Sequence, residues 1–587
     1  MNTKRRIFVK GVIATSLINS IPISLNANVK INHRKSTQEL TGKKFYLSID
    51  KTIVNITGNT AVATTVNNML SGPTLRWKEG EEVTLYVTNN LEEDTSIHWH
   101  GIILPPNMDG VPGISFNGIK PGETFIYKFP VVQSGTYWYH SHSGFQEQTG
   151  IYGAIVIEPI EKDPYSYDKE YVISLSDWSD EKPSKIYRNL KLQADYYNFQ
   201  QRTINDFWNE VKEKGFFNAF TERKMWNEMK MNDRDISDVT GYTYTYLMNG
   251  ENPASVYKAL FSNGDKVRLR FINSSAMTFF DVRIPGLKMK VVAADGNNIQ
   301  AIDVDEFRIG VAETYDVIVE PDYDKSYSIF AQSIDRSGFA FGALTYDKDV
   351  LPETPDVDSI KSLTHTDMGM NMSKMVHSSD SNMNNMKDTN HKMMDHSKHM
   401  MSDMKDMKSN KKKNEIPITK LAKSTGVQTD MISSSPQYRL SDPGVGLRNN
   451  GRRVLTYADL RSLKSTKHDK SPDREIILRL TGNMERYMWS INGIAYKDAK
   501  PLKFKFGERL RITYINDTMM NHPMHLHGMW SDLETGDENY LPKKHTVVVQ
   551  PGAKISFRVT VDAKGEWAYH CHLLYHMTDM FRKVIVE

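Results

Sequence analysis

Four short histidine motifs and a single cysteine are the residues of this sequence best suited to bind metal ions. The motifs are His98-Trp-His100, His140-Ser-His142, His522-Pro-Met-His525-Leu-His527 and His570-Cys571-His572, with His576 four residues after the last. Side chains alternate along a β-strand, so a His-x-His pair places both imidazoles on one face, where they can bind one metal or adjacent metals. Four such motifs in one chain favour a metal centre over chance.

Eight of these histidines form equivalent pairs. His98 and His525 lie equally far after the first glycine of two repeated segments, and His140 and His570 lie equally far after a repeated Pro-Gly turn. The pairs are 98/525, 100/527, 140/570 and 142/572. Eight imidazoles are too many for one ion, so we predict two or three metals where the first and third domains meet.

Three further residues break this symmetry. The first domain has Thr95, Ser141 and Gln146 at the positions equivalent to His522, Cys571 and His576. Two histidines and one cysteine form the trigonal ligand set of a blue-copper site, normally with a weak axial Met. Cys571 lies between two cluster histidines, so we expect it on the opposite face of the strand, joined to them through the backbone. The alternative interpretation of Cys571 is a small buried hydrophobic residue.

A repeated strand pattern must position these residues. Residues 80–89, 264–273 and 507–516 each consist of a Gly-acid turn, an alternating strand and a closing Asn. Three copies predict three related all-β sandwich or barrel domains. Apolar residues at helical spacing predict a helical insertion over about 184–232 of the second domain. The predicted domains are 41–160, 165–350 and 431–587, with a linker over 351–430.

The methionine surplus is local to that linker. Of the 30 Met in the chain, 12 lie between residues 368 and 407, together with four histidines and without apolar periodicity. This composition predicts a disordered segment. Thioether sulfur selects Cu(I), so we predict copper capture, against low-complexity drift or a promiscuous Met-rich surface. These methionines are Met368, Met370, Met372, Met375, Met383, Met386, Met393, Met394, Met400, Met401, Met404 and Met407.

Composition and the N-terminus set further limits. A single cysteine excludes intramolecular disulfides and any site that needs two thiolates from this chain, and a net charge of +3 gives no case for nucleic-acid binding.

Lys4-Arg5-Arg6 before the apolar residues 11–25 resembles a twin-arginine export signal, cleaved near Ala27. The alternatives are an ordinary secretory signal or an uncleaved anchor. We predict no stable membrane span in the mature chain.

The histidine motifs resemble those of the multicopper oxidases, and residues 443–457, 516–530 and 569–577 are similar to the bacterial copper-resistance protein A family. The resemblance implies three cupredoxin-like Greek-key domains, four copper ions per chain and a location in the periplasm of a Gram-negative bacterium. It implies type 1 copper on His522, Cys571 and His576, and type 2 copper on His98 and His525. It implies a type 3 pair on His100, His140, His142, His527, His570 and His572.

Two positions depart from the family pattern. The axial Met usually falls ten residues after the cysteine, whereas here Met580 falls nine after it and Phe581 ten. We interpret this as a shorter loop with Met580 as the axial ligand; with Phe581 there instead, the copper would lack that ligand and its potential should rise. The acid that usually follows the last type 1 histidine is replaced by Met577. Asp579 is the candidate substitute for proton delivery, and Asp109 matches a family acid near the cluster.

The predicted activity is a copper oxidase that couples oxidation of Cu(I) to Cu(II) to reduction of O2 to water, and that also sequesters copper. Asp517, Met519 and Met520 are predicted to form a Cu(I) docking site beside the type 1 copper. The alternatives are a laccase-like phenol oxidase with the same centres and a storage or carrier protein without turnover. The complete ligand set disfavours storage, which needs no O2 cluster. Other periplasmic copper-resistance proteins are candidate partners.

Overall fold

The computed structural model describes residues 30–31, 38–229, 231–370 and 426–587. The predicted export signal at 1–27 and the methionines of the linker beyond Met370 lie outside these described residues. Within them the chain forms three β-domains, each with two sheets, in agreement with the all-β prediction. No helix in these ranges is both long enough and apolar enough to cross a bilayer.

The first domain contains ten strands. They are β1 (Lys30–Ile31), β2 (Glu39–Thr41), β3 (Lys44–Asn55), β4 (Thr60–Val66), β5 (Gly72–Lys78), β6 (Glu82–Asn89), β7 (His98–His100), β8 (Thr124–Pro130), β9 (Gly135–His140) and β10 (Tyr152–Glu158). One sheet has the order β1-β3-β6-β8 with β4 beside β3, and the other has the order β2-β5-β10-β9-β7. A short 3-10 helix, Pro106–Met108, follows β7.

The second domain contains eleven strands. They are β11 (Lys169–Trp178), β12 (Thr245–Met248), β13 (Tyr257–Leu260), β14 (Val267–Asn273), β15 (Phe280–Arg283), β16 (Met289–Ala294), β17 (Asn297–Val304), β18 (Glu306–Ile309), β19 (Thr314–Val319), β20 (Tyr327–Ser333) and β21 (Phe339–Thr345). The sheet orders are β12-β11-β14-β19-β16-β17 and β13-β21-β20-β15-β18.

The third domain contains twelve strands. They are β22 (Gln437–Tyr438), β23 (Arg474–Asn483), β24 (Met488–Ile491), β25 (Leu502–Phe504), β26 (Arg509–Asn516), β27 (His522–Leu526), β28 (Ser531–Leu533), β29 (Lys543–Lys544), β30 (Thr546–Val549), β31 (Ala553–Thr560), β32 (Gly565–Cys571) and β33 (Phe581–Val586). The sheet orders are β24-β23-β26-β31-β28-β29, with β22 beside β31, and β25-β33-β32-β27-β30. Two 3-10 helices, Tyr457–Asp459 and Tyr496–Asp498, belong to this part of the chain.

The three repeated segments fold into equivalent strands. β6, β14 and β26 each pair in parallel with an earlier strand of their domain and antiparallel with a later one. Each strand ends in a fully buried asparagine, Asn89, Asn273 or Asn516. In every copy the side-chain amide donates hydrogen bonds to two backbone carbonyls, at 2.7–3.0 Å. The repeated Asn therefore holds the loop after the strand, which leads to the histidines in domains one and three.

The predicted helical insertion is confirmed between β11 and β12. Its helices are α1 (Pro183–Leu192), α2 (Ile204–Lys214) and α3 (Phe216–Glu228). A capping box between Thr203 and Asp206 starts α2. The apolar residues that predicted α2 do not enter the core: Ile204 is 77% exposed and Trp208 is 53% exposed. The reason is that α2 packs mainly against α3, through contacts such as Phe207 on Phe216 at 6.0 Å.

The predicted disorder of the linker is wrong for residues 351–370. Asp358 forms an ion pair with Arg283 at 3.4 Å and another with Arg452. Met368 is fully buried in the core, and Met370 packs against it. These side chains hold the first twenty residues of the linker against the second and third domains. Met368 is therefore a core residue rather than part of an exposed copper-capture tract.

Candidate metal centres

Strand pairing brings the histidine motifs together. β7 pairs antiparallel with β9, so that His98 lies opposite His140. β27 pairs antiparallel with β32, so that His525 lies opposite His570. Directly opposite residues of antiparallel strands have Cβ atoms about 5 Å apart. The two domains therefore place their histidines in the same register, as their equivalent spacing predicts.

The histidines of the two domains converge on each other across the domain contact. The Nε2 atom of His570 lies 3.2 Å from that of His142 and 3.0 Å from that of His527. The Nε2 atoms of His140 and His572 are 3.3 Å apart. His570, His527 and His140 each have a hydrogen-bond acceptor at Nδ1. The Nε2 atoms of His527 and His570 therefore both carry lone pairs, and two lone pairs 3.0 Å apart favour a cation between them.

Three further histidine nitrogen atoms also favour a bound metal ion. His98 Nε2, His525 Nε2 and His100 Nδ1 are buried and have no hydrogen-bond partner among the described residues. The other nitrogen of His98 bonds the Asp109 carbonyl at 2.8 Å, and that of His525 bonds the His545 carbonyl at 2.6 Å. These bonds fix the tautomer that leaves Nε2 free for a metal.

The electrostatics suit neutral imidazole ligands. Burial, together with neighbouring histidines, lowers the pKa of His100, His140, His142, His525, His527 and His572 well below its ordinary value. Burial lowers the pKa of His570 to about 3. Neutral imidazoles offer the lone pair that a metal needs, without a proton to displace.

A second group of ligand atoms lies on the other side of the Cys571 strand. The Cys571 Sγ atom is 3.5 Å from His522 Nδ1 and 3.9 Å from His576 Nδ1, and the two nitrogens are 3.4 Å apart. All three side chains are fully buried. Burial raises the pKa of the Cys571 thiol well above its usual value, so metal binding must release its proton.

The two groups are joined through one short peptide segment. His570 and His572 point to the histidine cluster while Cys571 points the other way, as alternation on β32 requires. His570 Nδ1 also donates a hydrogen bond to the Cys571 carbonyl at 2.9 Å.

The counterpart of the cysteine site in the first domain has no metal ligands. Thr95 and Ser141 both donate hydrogen bonds to Gln146 Oε1, at 2.7 and 2.9 Å. These three residues therefore occupy equivalent positions in space as well as in sequence, and a buried hydrogen-bonded triad replaces the ligand set there.

The position of Phe581 bears on the axial ligand. Phe581 lies opposite His570 in the β32–β33 pair, and its ring stacks on the His570 ring at 5.5 Å. Met580 is fully buried, and its carbonyl accepts a hydrogen bond from the Cys571 amide at 3.0 Å. Phe581 thus faces the histidine cluster, which supports the prediction that Met580 rather than Phe581 belongs to the Cys571 site.

Buried carboxylates surround the histidine cluster. Asp109 Oδ2 lies 2.8 Å from His527 Nδ1, and its Oδ1 lies 3.3 Å from His98 Nδ1. Asp109 therefore links a ligand candidate of each domain, as its predicted place near the cluster requires. Asp579, in contrast, forms an ion pair with Lys191 at 3.2 Å and is partly exposed. Since its position beside α1 gives it no part in the histidine cluster, we do not extend the proton-delivery prediction to it.

Three site residues escaped the sequence analysis. Glu147 Oε2 lies 2.7 Å from His140 Nδ1. His545 Nδ1 lies 3.2 Å from His100 Nε2. Asp238 Oδ2 lies 2.7 Å from His576 Nε2 and accepts a hydrogen bond from Tyr487 at 3.0 Å. None of the three belongs to a repeated motif, and no spacing in the sequence points to them.

The three predicted Cu(I) docking residues do not share one environment in the fold. Both oxygens of Asp517 accept hydrogen bonds from Arg479, at 2.5 and 2.6 Å, and Oδ1 also accepts one from the Ser433 amide. This carboxylate is therefore engaged in an ion pair within the third domain. Met519 and Met520 are both buried, and Met519 lines a cavity between the helical insertion and the third domain.

Comparison with known proteins identifies the class. Family models described as multicopper oxidase match residues 48–162, 169–349 and 469–587, one in each β-domain. Solved structures agree in fold: a multicopper oxidase from Campylobacter jejuni, described as a metallo-oxidase, matches with a TM-score of 0.57 and 19% identity over 95% of this chain and 96% of that one. The fold and the site together define a multicopper oxidase.

Full-length relatives narrow the assignment within the multicopper oxidases. Copper resistance protein A of Escherichia coli is 51% identical over 615 residues that cover 100% of both chains. Copper resistance protein A of Pseudomonas syringae pv. tomato is 50% identical over 627 residues, 100% of this chain and 99% of that protein. The chain therefore belongs to the multicopper oxidase family and, within it, to the copper resistance protein A group. Copper is accordingly the metal of these centres, and the protein is an oxidoreductase.

Proposed function

We propose that this protein is a periplasmic copper-resistance oxidase, exported by the twin-arginine route, that converts Cu(I) to Cu(II) with O2 as the final electron acceptor. The observation that supports this best is the segment His570-Cys571-His572, which links the cysteine site to the histidine cluster through covalent bonds. Copper bound at the two centres supplies one-electron redox chemistry. Four electrons and four protons reduce one O2 to two waters, which explains why a multi-histidine cluster accompanies the cysteine site.

The proposed ligand sets follow the geometry. His522, Cys571 and His576, together with Met580, would hold the type 1 copper. His98 and His525, whose Nε2 atoms are both unpartnered among the described residues, would hold the type 2 copper. His100, His140 and His572 would hold one type 3 copper, and His142, His527 and His570 would hold the other, which makes four copper ions per chain.

Buried carboxylates that accept hydrogen bonds from the ligand histidines keep these ligands in place. Asp109 accepts the Nδ1 proton of His527, and Glu147 accepts that of His140. Asp109 is also positioned to supply protons as water forms. Asp238 holds His576 from the opposite side, so each of the two centres is fixed by a buried carboxylate.

The electron donor can be identified by steady-state kinetics of the copper-loaded protein. We expect kcat/KM for Cu(I) to exceed that for a phenol, because His576 Nε2 is covered by Asp238 and is not open to an organic substrate. Oxygen uptake should be measured with Cu(I) and with a phenol in the absence of added copper. Equal turnover on the phenol would instead support a laccase-like oxidase, and no turnover on either donor would support copper storage.

The Met-rich tract is proposed to collect copper for the enzyme. Because Met368 is buried, a deletion that tests this should begin after Met370 and remove residues 372–408. We expect the variant to bind less copper than the full chain under excess Cu(I) while keeping its blue absorption, because none of the proposed catalytic ligands is removed. Copper analysis after gel filtration, with an absorption spectrum of the same sample, measures both. Undiminished copper binding would contradict a role in capture.

A further inference from the structure

One buried histidine outside the repeated motifs lies where all three domains meet. His545 connects β29 to β30 in the third domain, and its ring packs against Gly101 of the first domain. Gly101 has a φ of +78°, a conformation that favours glycine. A Cβ atom there would lie 2.5 Å from His545 Cδ2, well inside the usual contact distance of about 3.5 Å between carbon atoms. Gly101 therefore makes room for this ring directly beside His100.

The second domain fixes the backbone of His545, although residues 165–350 contain no histidine. Asp295 Oδ2 accepts hydrogen bonds from the amides of His545 and Thr546, both at 3.1 Å. The fully buried Lys544 forms ion pairs with Asp295 at 3.1 Å and with Glu313 at 2.9 Å. Because these contacts use backbone amides and a neighbouring side chain, the position of residue 545 does not depend on its own imidazole.

The polar atoms of His545 are engaged with one exception. Its carbonyl accepts a hydrogen bond from His525 Nδ1 at 2.6 Å, and its Nδ1 lies 3.2 Å from His100 Nε2. His100 Nδ1 is the nitrogen left for a metal, so His100 Nε2 carries the proton, and the His545 Nδ1 that faces it cannot carry one as well. The proton of neutral His545 is therefore on Nε2. This nitrogen is buried and has no hydrogen-bond partner among the described residues.

His545 also lines a small cavity at the histidine cluster. Its neighbours in the cavity wall include Gly101, Trp530 and both proposed type 2 ligands, His98 and His525. The volume of about 10 Å³, counted as space for the centre of a water molecule, is enough for one water-sized ligand. One ring nitrogen each of His100, His525 and His545 lies within 4.8 Å of the other two. A ligand in this cavity is therefore beside both His545 and the metal-ligand candidates.

We propose that His545 is a further binding residue of the histidine cluster, whose Nε2–H donates a hydrogen bond to a water, hydroxide or single-atom anion held in this cavity. A buried N–H without a partner costs free energy unless a ligand accepts its hydrogen bond. A donor that the fold holds in place also stabilises negative charge beside it without reorganisation. The proposal rests on the type 2 ligand set proposed above and adds a residue outside that set.

Two substitutions separate the two ring nitrogens of His545. The amide nitrogen of glutamine reaches the place of Nε2, whereas the amide oxygen of asparagine reaches the place of Nδ1. His545→Gln therefore keeps the donor toward the cavity, and His545→Asn keeps the acceptor toward His100. In His545→Gln, Thr546 Oγ1 still lies 3.2 Å from His100 Nε2 and can accept its proton.

Fluoride is the probe, because it is a single-atom hydrogen-bond acceptor whose nuclear spin splits the electron paramagnetic resonance lines of a copper that binds it. The titration uses the copper-loaded full chain in its resting state. We expect the fluoride Kd of His545→Asn to rise about tenfold, as is typical when a hydrogen bond to a charged group is lost. His545→Gln should bind fluoride with nearly the wild-type Kd, and both variants should keep the copper content of the wild type.

Three results would overturn the proposal. The first is an unchanged fluoride Kd in His545→Asn. The second is equally weak binding in both variants, because the contact with His100 would then be responsible. The third is loss of copper from His545→Asn, since His545 would then be a metal ligand itself. The titration needs no electron donor, so a wild type that binds fluoride but oxidises no Cu(I) would contradict the proposed function alone.

Discussion

Replacing the single cysteine, Cys571→Ser, is expected to abolish the blue absorption and reduce oxidation of both Cu(I) and ferrocyanide to background. The serine oxygen cannot replace the thiolate that gives a blue-copper site its colour and its electron-transfer function. The change removes one side chain between two intact histidines, so the variant should bind one copper fewer than the wild type. Metal analysis and an absorption spectrum of the purified protein measure this result.

The first domain offers a matched control for this substitution. Ser141 occupies the position equivalent to Cys571, and its hydroxyl bonds only other polar groups of that domain. Ser141→Ala should keep both the blue band and turnover, because His140 is held through the Ser141 backbone carbonyl and through Glu147. A blue band that survives in Cys571→Ser would show that the electron-entry site has been misidentified.

Replacing Asp109 with alanine is expected to lower O2 consumption while leaving the blue absorption in place. The substitution removes the acceptor that holds His527 Nδ1 at 2.8 Å, while the backbone carbonyl that holds His98 remains. Loss of such a partner of a metal ligand typically costs about 10–100-fold in metal affinity or activity. We expect O2 consumption to fall by that amount while the blue band persists, because Asp109 touches none of His522, Cys571 and His576. Unchanged O2 consumption would remove Asp109 from the site.

A second substitution separates the two tasks of Asp109. Asp109→Asn keeps an oxygen that can accept the His527 proton but removes the acid group. If orientation of His527 is the main task, the asparagine variant should recover most of the activity lost in Asp109→Ala. If proton supply is the main task, both variants should be equally slow at neutral pH. At low pH, where protons are abundant, O2 consumption by the asparagine variant should be the less affected of the two, because that variant still orients His527.

Much of the architecture could be predicted because it depends on local pattern. The alternating segments that end at Asn89, Asn273 and Asn516 specify strands whatever surrounds them, and their repetition predicts three domains. A His-x-His pair fixes the relative direction of two rings as soon as it lies in a strand. Cys571 is covalently bound to its histidine neighbours, so its orientation relative to them follows from alternation alone.

The errors arose where tertiary packing decides exposure. The spacing of Ile204 and Trp208 predicted a helix correctly, but not that the helix would leave them in solvent. Met368 belongs by composition to the Met-rich tract, yet the fold buries it in the core. The docking prediction for Asp517 is a separate case: it stays a prediction, and the structure adds that Arg479 on the neighbouring strand forms an ion pair with this carboxylate. Sequence proximity to a ligand does not determine which neighbour a side chain reaches.

The sequence by itself determined the candidate metal-binding side chains, the three β-domains that carry them and the bond path between the two candidate centres. Only the tertiary structure decided which groups support those candidate ligands, because most of these contacts join distant parts of the chain. Asp109 reaches His527 and Asp238 reaches His576 across domain boundaries, and His545 lies beside His525 because β30 pairs with β27. Ligands repeat in patterns, whereas their partners depend on contacts that no local pattern encodes.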